Sequence, residues 1–305
     1  MQSLRGLYAP FQRGIAAYNS YLQKNYPTVY ELQNAVLHGS KTTMVDGKDY
    51  VIAAGRNMQE KPLSYRELTL RWTYPSDLLK LTPVLLFLML PFSTVALVPV
   101  IYYFPKQLFT RSFWTSGQRQ RFDAEEITKR FEAVPSVIAH FEQNIPRSQT
   151  SDDRYLLQDV LHRMKKSHMV PEEQILSLRP IFAQHPFSFF SLSSEYLNDL
   201  ARLNGMSTRK IQKFPHHLVL MDHALDEKLR KGKGDLTEQQ IRDAALLRGF
   251  DPNLSLDACV KFLTNWTHAS SALSGPAESL LLHFPVFLSY PYVFNRESRP
   301  HVQSR

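Results

Sequence analysis

The chain has 305 residues and a formal net charge of +8 at neutral pH. This length allows one or two domains, and the overall hydropathy excludes a protein built mainly of membrane spans. The positive charge favours polyanionic neighbours such as RNA or acidic lipid. Cys259 is the only cysteine, so an intrachain disulfide is excluded.

The N-terminal region, residues 1–80, predicts an amphipathic or targeting segment. Arg5, Arg13 and Lys24 all precede the first acidic residue, Glu31. A basic start without acidic residues is typical of mitochondrial targeting segments, while its aromatic residues also fit an ordinary amphipathic helix. No apolar run follows the first methionine directly, so we expect no cleaved secretory leader.

An uncharged stretch follows at residues 81–104, LTPVLLFLMLPFSTVALVPVIYYF. A helix needs roughly 20 apolar residues to cross a bilayer, so the length predicts a transmembrane helix over 81–104. The alternative is a hydrophobic hairpin inside a large helical domain. Three prolines predict kinks, and two hydroxyl side chains just past the second proline can satisfy the freed carbonyl groups. These residues are Pro83, Pro91, Pro99, Ser93 and Thr94.

Helices separated by Pro, Ser and Gly breaks are predicted for the rest of the chain. We assign residues 105–290 to one helical domain and residues 291–305 to a tail. The predicted fold class is therefore all-α, with one transmembrane helix followed by a bundle-like soluble domain. Helices are predicted within this domain over residues 123–143, 152–166, 171–183, 194–203, 215–230 and 237–249.

The clearest helix start in the sequence is at Thr237. Its side chain can cap a helix, and Gln240 completes a capping box three residues later. Leu236 can pack onto Ile241 as a hydrophobic staple. Gly249 is a natural C-terminal stop, so both ends of this helix are predicted.

Known catalytic and cofactor motifs are missing from the sequence. His216, His217 and His223 lie close together, but no HExxH or CxxC frame accompanies them. The segment DEKLRKGKGDLTE has lysines where an EF-hand needs oxygen ligands, and its GKGD lacks the spacing of a phosphate-binding loop. We therefore predict no enzyme activity, no cofactor and no metal site, and we expect Cys259 to be a small helix-face residue.

Basic residues on both sides of one predicted helix favour a binding surface. Clusters of Lys and Arg can contact the phosphates of RNA, although a solvated helix surface has the same composition. We predict ribosome or RNA binding by Arg209, Lys210, Lys213, Lys228, Arg230, Lys231 and Lys233.

Two separated stretches resemble one protein family. The first, residues 74–114, is YPSDLLKLTPVLLFLMLPFSTVALVPVIYYFPKQLFTRSFW, and the second, residues 236–284, is LTEQQIRDAALLRGFDPNLSLDACVKFLTNWTHASSALSGPAESLLLHF. Both resemble the mitochondrial leucine-zipper/EF-hand transmembrane (Letm) family. Its soluble domain has a capped helix, an RG turn, a helix that ends in a tryptophan and a leucine-rich finish. The chain is most similar to the shorter members of the family.

This resemblance implies a single-pass mitochondrial inner-membrane protein whose C-terminal domain faces the matrix and binds ribosomes. Lys and Arg are equally frequent on the two sides of the uncharged stretch, so the orientation depends on the resemblance alone. The expected function is to support mitochondrial protein synthesis, assembly and organelle structure. The expected partners are the mitochondrial ribosome, inner-membrane lipid, further copies of this chain and proteins of respiratory assembly.

Longer family members are associated with cation/proton exchange, which is the alternative function here, with K⁺ or Ca²⁺ as the cation. These members carry a glutamate shortly after the PF pair of the span, and an ungapped comparison places Thr94 at that position. A carboxylate inside a membrane is costly to bury and usually binds or relays a cation. The uncharged stretch has no carboxylate, which favours a binding module over an exchanger.

Overall fold

The computed structural model describes residue 17 and residues 19–88, 103–230, 236–271, 273 and 275–292. All regular secondary structure in these residues is helical, which confirms the all-α part of the fold prediction. The chain divides into two compact units, Met1–Arg119 and Gln120–Arg305. The segment boundaries expected from the sequence stay predictions.

The helices are numbered in chain order. They are α1 Pro27–Met58, α2 Tyr65–Leu88, α3 Pro105–Leu108, α4 Ser116–Phe131, α5 Val134–Asn144, α6 Ser151–Lys165, α7 Glu172–Ser177, α8 Arg179–Phe182, α9 Ser194–Leu203, α10 Thr208–Ile211, α11 Phe214–Arg230, α12 Glu238–Leu247 and α13 Leu256–Ser271. Short 3-10 segments lie at Arg111–Phe113, Ile145–Arg147, Phe189–Ser191 and Gly275–His283, and a π-helical turn lies at Pro285–Ser289.

A hydrogen-bonded turn joins α1 to α2. Ser64 Oγ accepts from the Glu67 N–H at 3.4 Å, and the Glu67 carboxylate accepts from the Ser64 N–H at 2.8 Å. Arg56, near the end of α1, donates to both carboxylate oxygens of Glu67 at 2.9 and 3.1 Å. Burial raises the pKa of Glu67, but the hydrogen bonds from Ser64 and the charge of Arg56 outweigh it and lower that pKa below its ordinary value. The carboxylate thus fixes both the turn and the start of α2.

The two described ends of the stretch 81–104 do not lie where a single straight helix would place them. Its first part belongs to the end of α2, and Leu81 and Val84 are buried in a small core with Phe109. Lys80 Nζ donates to the carbonyl of Lys106 at 2.7 Å. A straight helix through the stretch would hold those two residues about 39 Å apart. The two ends of the stretch therefore lie side by side.

No helix in the described ranges has both the length and the apolar character needed to cross a bilayer. We therefore correct the predicted fold class to all-α alone, and the predicted transmembrane helix is wrong. The length criterion failed because it only counts uncharged residues. It could not show that Leu81 and Val84, at the beginning of the stretch, are buried in a protein core. Of the predicted kink residues, Pro83 lies inside α2. The others, Pro91, Ser93, Thr94 and Pro99, lie outside the described residues.

The helix predicted over residues 123–143 is two helices. α4 ends at Phe131 and α5 begins at Val134, with Pro135 in the first turn of α5. Proline is tolerated in a first turn because the N–H that it lacks would have no partner within the helix there. The bend predicted at Pro135 is therefore a break between two helices.

The capping box predicted at the start of α12 is confirmed. The Gln240 N–H donates to Thr237 Oγ1 at 3.2 Å, and the Thr237 N–H donates to Gln240 Oε1 at 2.9 Å. Leu236 and Ile241 are both buried. Gly249, just past the helix, has a φ of +77°, in the left-handed region that favours glycine. The local sequence thus defines both ends of this helix.

The C-terminal segment runs through the core of the second unit. Residues 279–289 are all buried. Phe141, Phe182 and Phe187 form ring pairs at centroid distances of 4.9 to 6.4 Å. Trp266 packs edge-on against Phe284 at 5.1 Å. The leucine-rich finish seen in the sequence is therefore a central part of the domain's core.

Candidate functional site

A buried ion pair joins α11, α12 and α13. Arg248 Nε donates to Asp222 Oδ1 at 2.9 Å, and Trp266 Nε1 donates to Asp222 Oδ2 at 2.9 Å. The side chains of Arg248 and Asp222 are only 0% and 1% exposed. Arg248 also donates to the carbonyl of Ala244 at 2.8 Å. A buried charge is tolerated only when it is paired and hydrogen-bonded. The Asp222 carboxylate is both, and its hydrogen bonds connect α11 to the end of α12 and to α13.

The turn after α12 is packed against the C-terminal segment. Ser289 Oγ donates to the carbonyl of Arg248 at 3.1 Å. A Cβ added to Gly249 would lie 3.3 Å from Pro285 Cβ, tighter than most such contacts. The RG pair and the tryptophan singled out in the sequence therefore have a structural role, since they hold the helices of this unit together.

A second buried polar pair links α9 to the C-terminal segment. Tyr196 Oη lies 2.6 Å from His283 Nε2, and both side chains are fully buried. His283 Nδ1 lies 3.1 Å from the carbonyl of Ser279, and since a carbonyl can only accept, Nδ1 carries the proton. Tyr196 therefore donates to Nε2. Burial lowers the pKa of His283 to about 4, so the imidazole is neutral at pH 7.

The first basic cluster, which we define as Arg209, Lys210 and Lys213, lies at the start of α11. Arg209 and Lys210 belong to α10, and Lys213 lies two residues past its end. All three side chains are exposed. Three exposed basic residues therefore lie at or next to the α10–α11 junction.

The second basic cluster, which we define as Lys228, Arg230, Lys231 and Lys233, follows the other end of the same helix. Lys228 and Arg230 lie in the last turn of α11, and Lys231 and Lys233 lie outside the described residues. Arg230 pairs with Asp226 at 2.9 Å. Lys228 lies about 21 Å along the helix axis from the start of α11. The described members of the two clusters therefore lie at opposite ends of α11.

Other candidate reactive groups have ordinary structural surroundings. In the part of the chain that the structure describes, no group of three or more His, Cys, Asp or Glu side chains is placed to hold a metal ion. His216 Nδ1 lies 3.3 Å from Glu278 Oε1. Cys259 is buried, and burial raises the pKa of its thiol. A raised pKa disfavours the reactive thiolate.

An exposed aromatic ring beside the first basic cluster was missed by the sequence analysis. Phe190 is 98% exposed. It borders a groove of about 290 Å³ that is also lined by Phe189, Gln212 and Pro215. Gln212 belongs to the same short segment as the first basic cluster. The sequence signal was the FSFFS stretch, but adjacent phenylalanines are usually core residues, so exposure could not be predicted from them.

Comparisons with known proteins agree on one family. A family model described as "LETM1-like, RBD" matches residues 63–287. The chain is 27% identical over 289 residues to LETM1 domain-containing protein 1 of Homo sapiens, an alignment that covers 92% of this chain and 80% of the human protein. It is 26% identical over 293 residues to the protein of the same name from Xenopus tropicalis, covering 90% of this chain and 82% of that protein. No solved structure gives a significant match.

Proposed function

We propose, from the premise that this chain belongs to the LETM1-like, RBD family, that it is a mitochondrial protein whose helical domain binds mitochondrial ribosomes. The family membership confirms the resemblance found in the sequence. RBD denotes a ribosome-binding domain. In this role the protein is a binding module that supports mitochondrial protein synthesis and assembly, without catalysis of its own.

The observation that carries the proposal is the extent of the family match. It covers residues 63–287, which include both basic clusters and the groove beside Phe190. Ribosomes present RNA phosphate, and basic clusters on a stable helical frame are the chemistry that contacts phosphate. The net charge of +8 acts in the same direction, because it attracts polyanions over a longer range.

A fractionation experiment tests this proposal in cells. Tagged full-length chain should be recovered with mitochondria and, after lysis, should sediment with ribosomal subunits on a sucrose gradient. Magnesium chelation, which dissociates ribosomes, should shift the chain to lighter fractions together with the subunits. A chain that stays at the top of the gradient at low salt would contradict ribosome binding.

A further inference from the structure

Phe190 is held in its exposed position by a fixed loop. Ser279 Oγ contacts two carbonyls at the base of this loop, those of Phe187 at 2.9 Å and Phe182 at 3.3 Å. Phe187 is fully buried and anchors the loop in the core. At the tip, Ser188 Oγ and Ser191 Oγ are hydrogen-bonded at 2.7 Å, and the Ser191 N–H donates to the Ser188 carbonyl at 2.9 Å. The ring is therefore presented to solvent by ordered neighbours on both sides.

A second ring extends this apolar surface into the groove. Phe189 packs edge-on against Phe190 at a centroid distance of 5.8 Å and is itself half-buried. Pro215, at the start of α11, lines the same groove. The result is a small apolar platform with one fully exposed aromatic face.

Residues of both charge signs lie near the platform in the chain. Gln212 lines the groove, and it lies between Lys210 and Lys213 in the chain, so the first basic cluster is the nearest group of cations in the sequence to this side of the groove. The carboxylate of Glu278 also lines the groove, and it lies 3.3 Å from Nδ1 of the exposed His216.

We infer that this platform binds a single-stranded RNA segment, with a base stacked on Phe190 and the adjacent phosphates contacted by the first basic cluster. Exposed aromatic rings beside Lys and Arg are how proteins bind unpaired nucleotides, because every base has a face that stacks and every phosphate is anionic. The inference deepens the proposed function and rests on it, since the RNA would be an unpaired segment of ribosomal RNA.

Fluorescence anisotropy with a labelled single-stranded uridine oligonucleotide tests this inference on the full-length chain. The parent chain should bind the oligonucleotide, and Phe190→Ala should weaken binding by about five-fold or more, because stacking on one base supplies that much affinity. Phe190→Trp should retain binding. Changing Arg209, Lys210 and Lys213 together to Ser should lower the salt slope of binding by about two.

Tyr155→Ala is the matched control. Tyr155 is an aromatic residue of α6 that is 80% exposed and does not line the groove. This variant should bind the oligonucleotide with the parental affinity. Equal affinities for Phe190→Ala and Tyr155→Ala, or a parent chain that does not bind the oligonucleotide, would overturn the inference. Because Phe190 packs little against the core, circular dichroism of Phe190→Ala should match that of the parent.

Ribosome sedimentation of the same variants separates this inference from the proposed function. If Phe190→Ala loses ribosome binding while the parent does not bind the oligonucleotide, the groove contacts a ribosomal protein; the inference fails and the proposed function stands. If the parent binds the oligonucleotide through Phe190 but not ribosomes, the proposed function fails and the platform remains an RNA site.

Discussion

Asp222 accepts hydrogen bonds from two buried donors at once, Arg248 and Trp266. The RG turn and the terminal tryptophan stood out in the sequence, but their common partner did not. Asp222 and Arg248 are 26 residues apart, and an aspartate in the middle of a helix has no local signal of burial. The pairing exists only because α11, α12 and α13 pack together, so no local pattern could predict it.

Removing the carboxylate of Asp222 should destabilise the fold strongly. Asp222→Ala leaves the Arg248 guanidinium buried without its partner, which we expect to cost about 3–5 kcal/mol of the free energy of unfolding. Glu142→Ala is the control, because Glu142 pairs with Lys165 while both side chains are about half exposed, and such surface pairs contribute about 1 kcal/mol or less. Urea unfolding of both variants checks this, and equal losses would contradict the structural role of the buried pair.

His283 should make the stability of the protein depend on acid. Burial lowers its pKa from 6.5 to about 4 in the folded state, so the unfolded chain binds more protons between those two pH values. The contribution of His283 to the free energy of unfolding is therefore full well above pH 6.5 and falls as the pH decreases toward 4. The slope approaches about 1.4 kcal/mol per pH unit.

Urea unfolding at a series of pH values measures this slope. His283→Gln should be less stable than the parent at pH 7 and should lose the part of the slope that His283 contributes. His216→Gln, at an exposed histidine on α11, should keep the parental slope. An unchanged slope in His283→Gln would show that another group causes the acid sensitivity.

At the scale of elements, the sequence predicts what depends on neighbouring residues and fails where distant residues decide. The start of α12 is fixed by the contact between Thr237 and Gln240, three residues apart, and the prediction was correct. The uncharged stretch 81–104 was assigned by its length, but Leu81 is buried against residues that follow the stretch, such as Phe109. A count of apolar residues shows that a stretch is hydrophobic, but it does not show whether lipid or protein surrounds it.

The side-chain cap of α12 should stabilise the fold by about as much as one helix-capping hydrogen bond contributes. Thr237→Ala should lower the free energy of unfolding by about 1 kcal/mol, because the Gln240 N–H loses its acceptor. Thr264→Ala is the matched change on the exposed surface of α13, where the hydroxyl donates only to the Val260 carbonyl of its own helix. That variant should be neutral or slightly stabilising. Equal effects of the two substitutions would show that the capping box adds nothing.

At the scale of the whole molecule, the net charge favours a polyanionic partner but does not show where that partner would bind. The sequence places the seven predicted basic residues on both sides of one predicted helix, and the five of them that the structure describes do lie at the two ends of α11. The family match, residues 63–287, covers most of the second unit and the later part of the first unit. Helix α1 precedes the matched residues. Lys41, Lys48 and Lys61 are exposed and lie outside the match, so they provide a charge-matched control for the first basic cluster.

Co-sedimentation with purified mitochondrial ribosomes over a series of salt concentrations tests ribosome binding most directly. Each phosphate contact adds roughly 0.7 to 0.9 to the salt slope of binding, so changing the first basic cluster to Ser should lower the slope by about two, and changing the second cluster to Ser should lower it by about three. Changing Lys41, Lys48 and Lys61 to Ser should leave both affinity and slope near the parental values. Parental chain that remains in the supernatant at low salt, while circular dichroism shows it folded, would contradict the account.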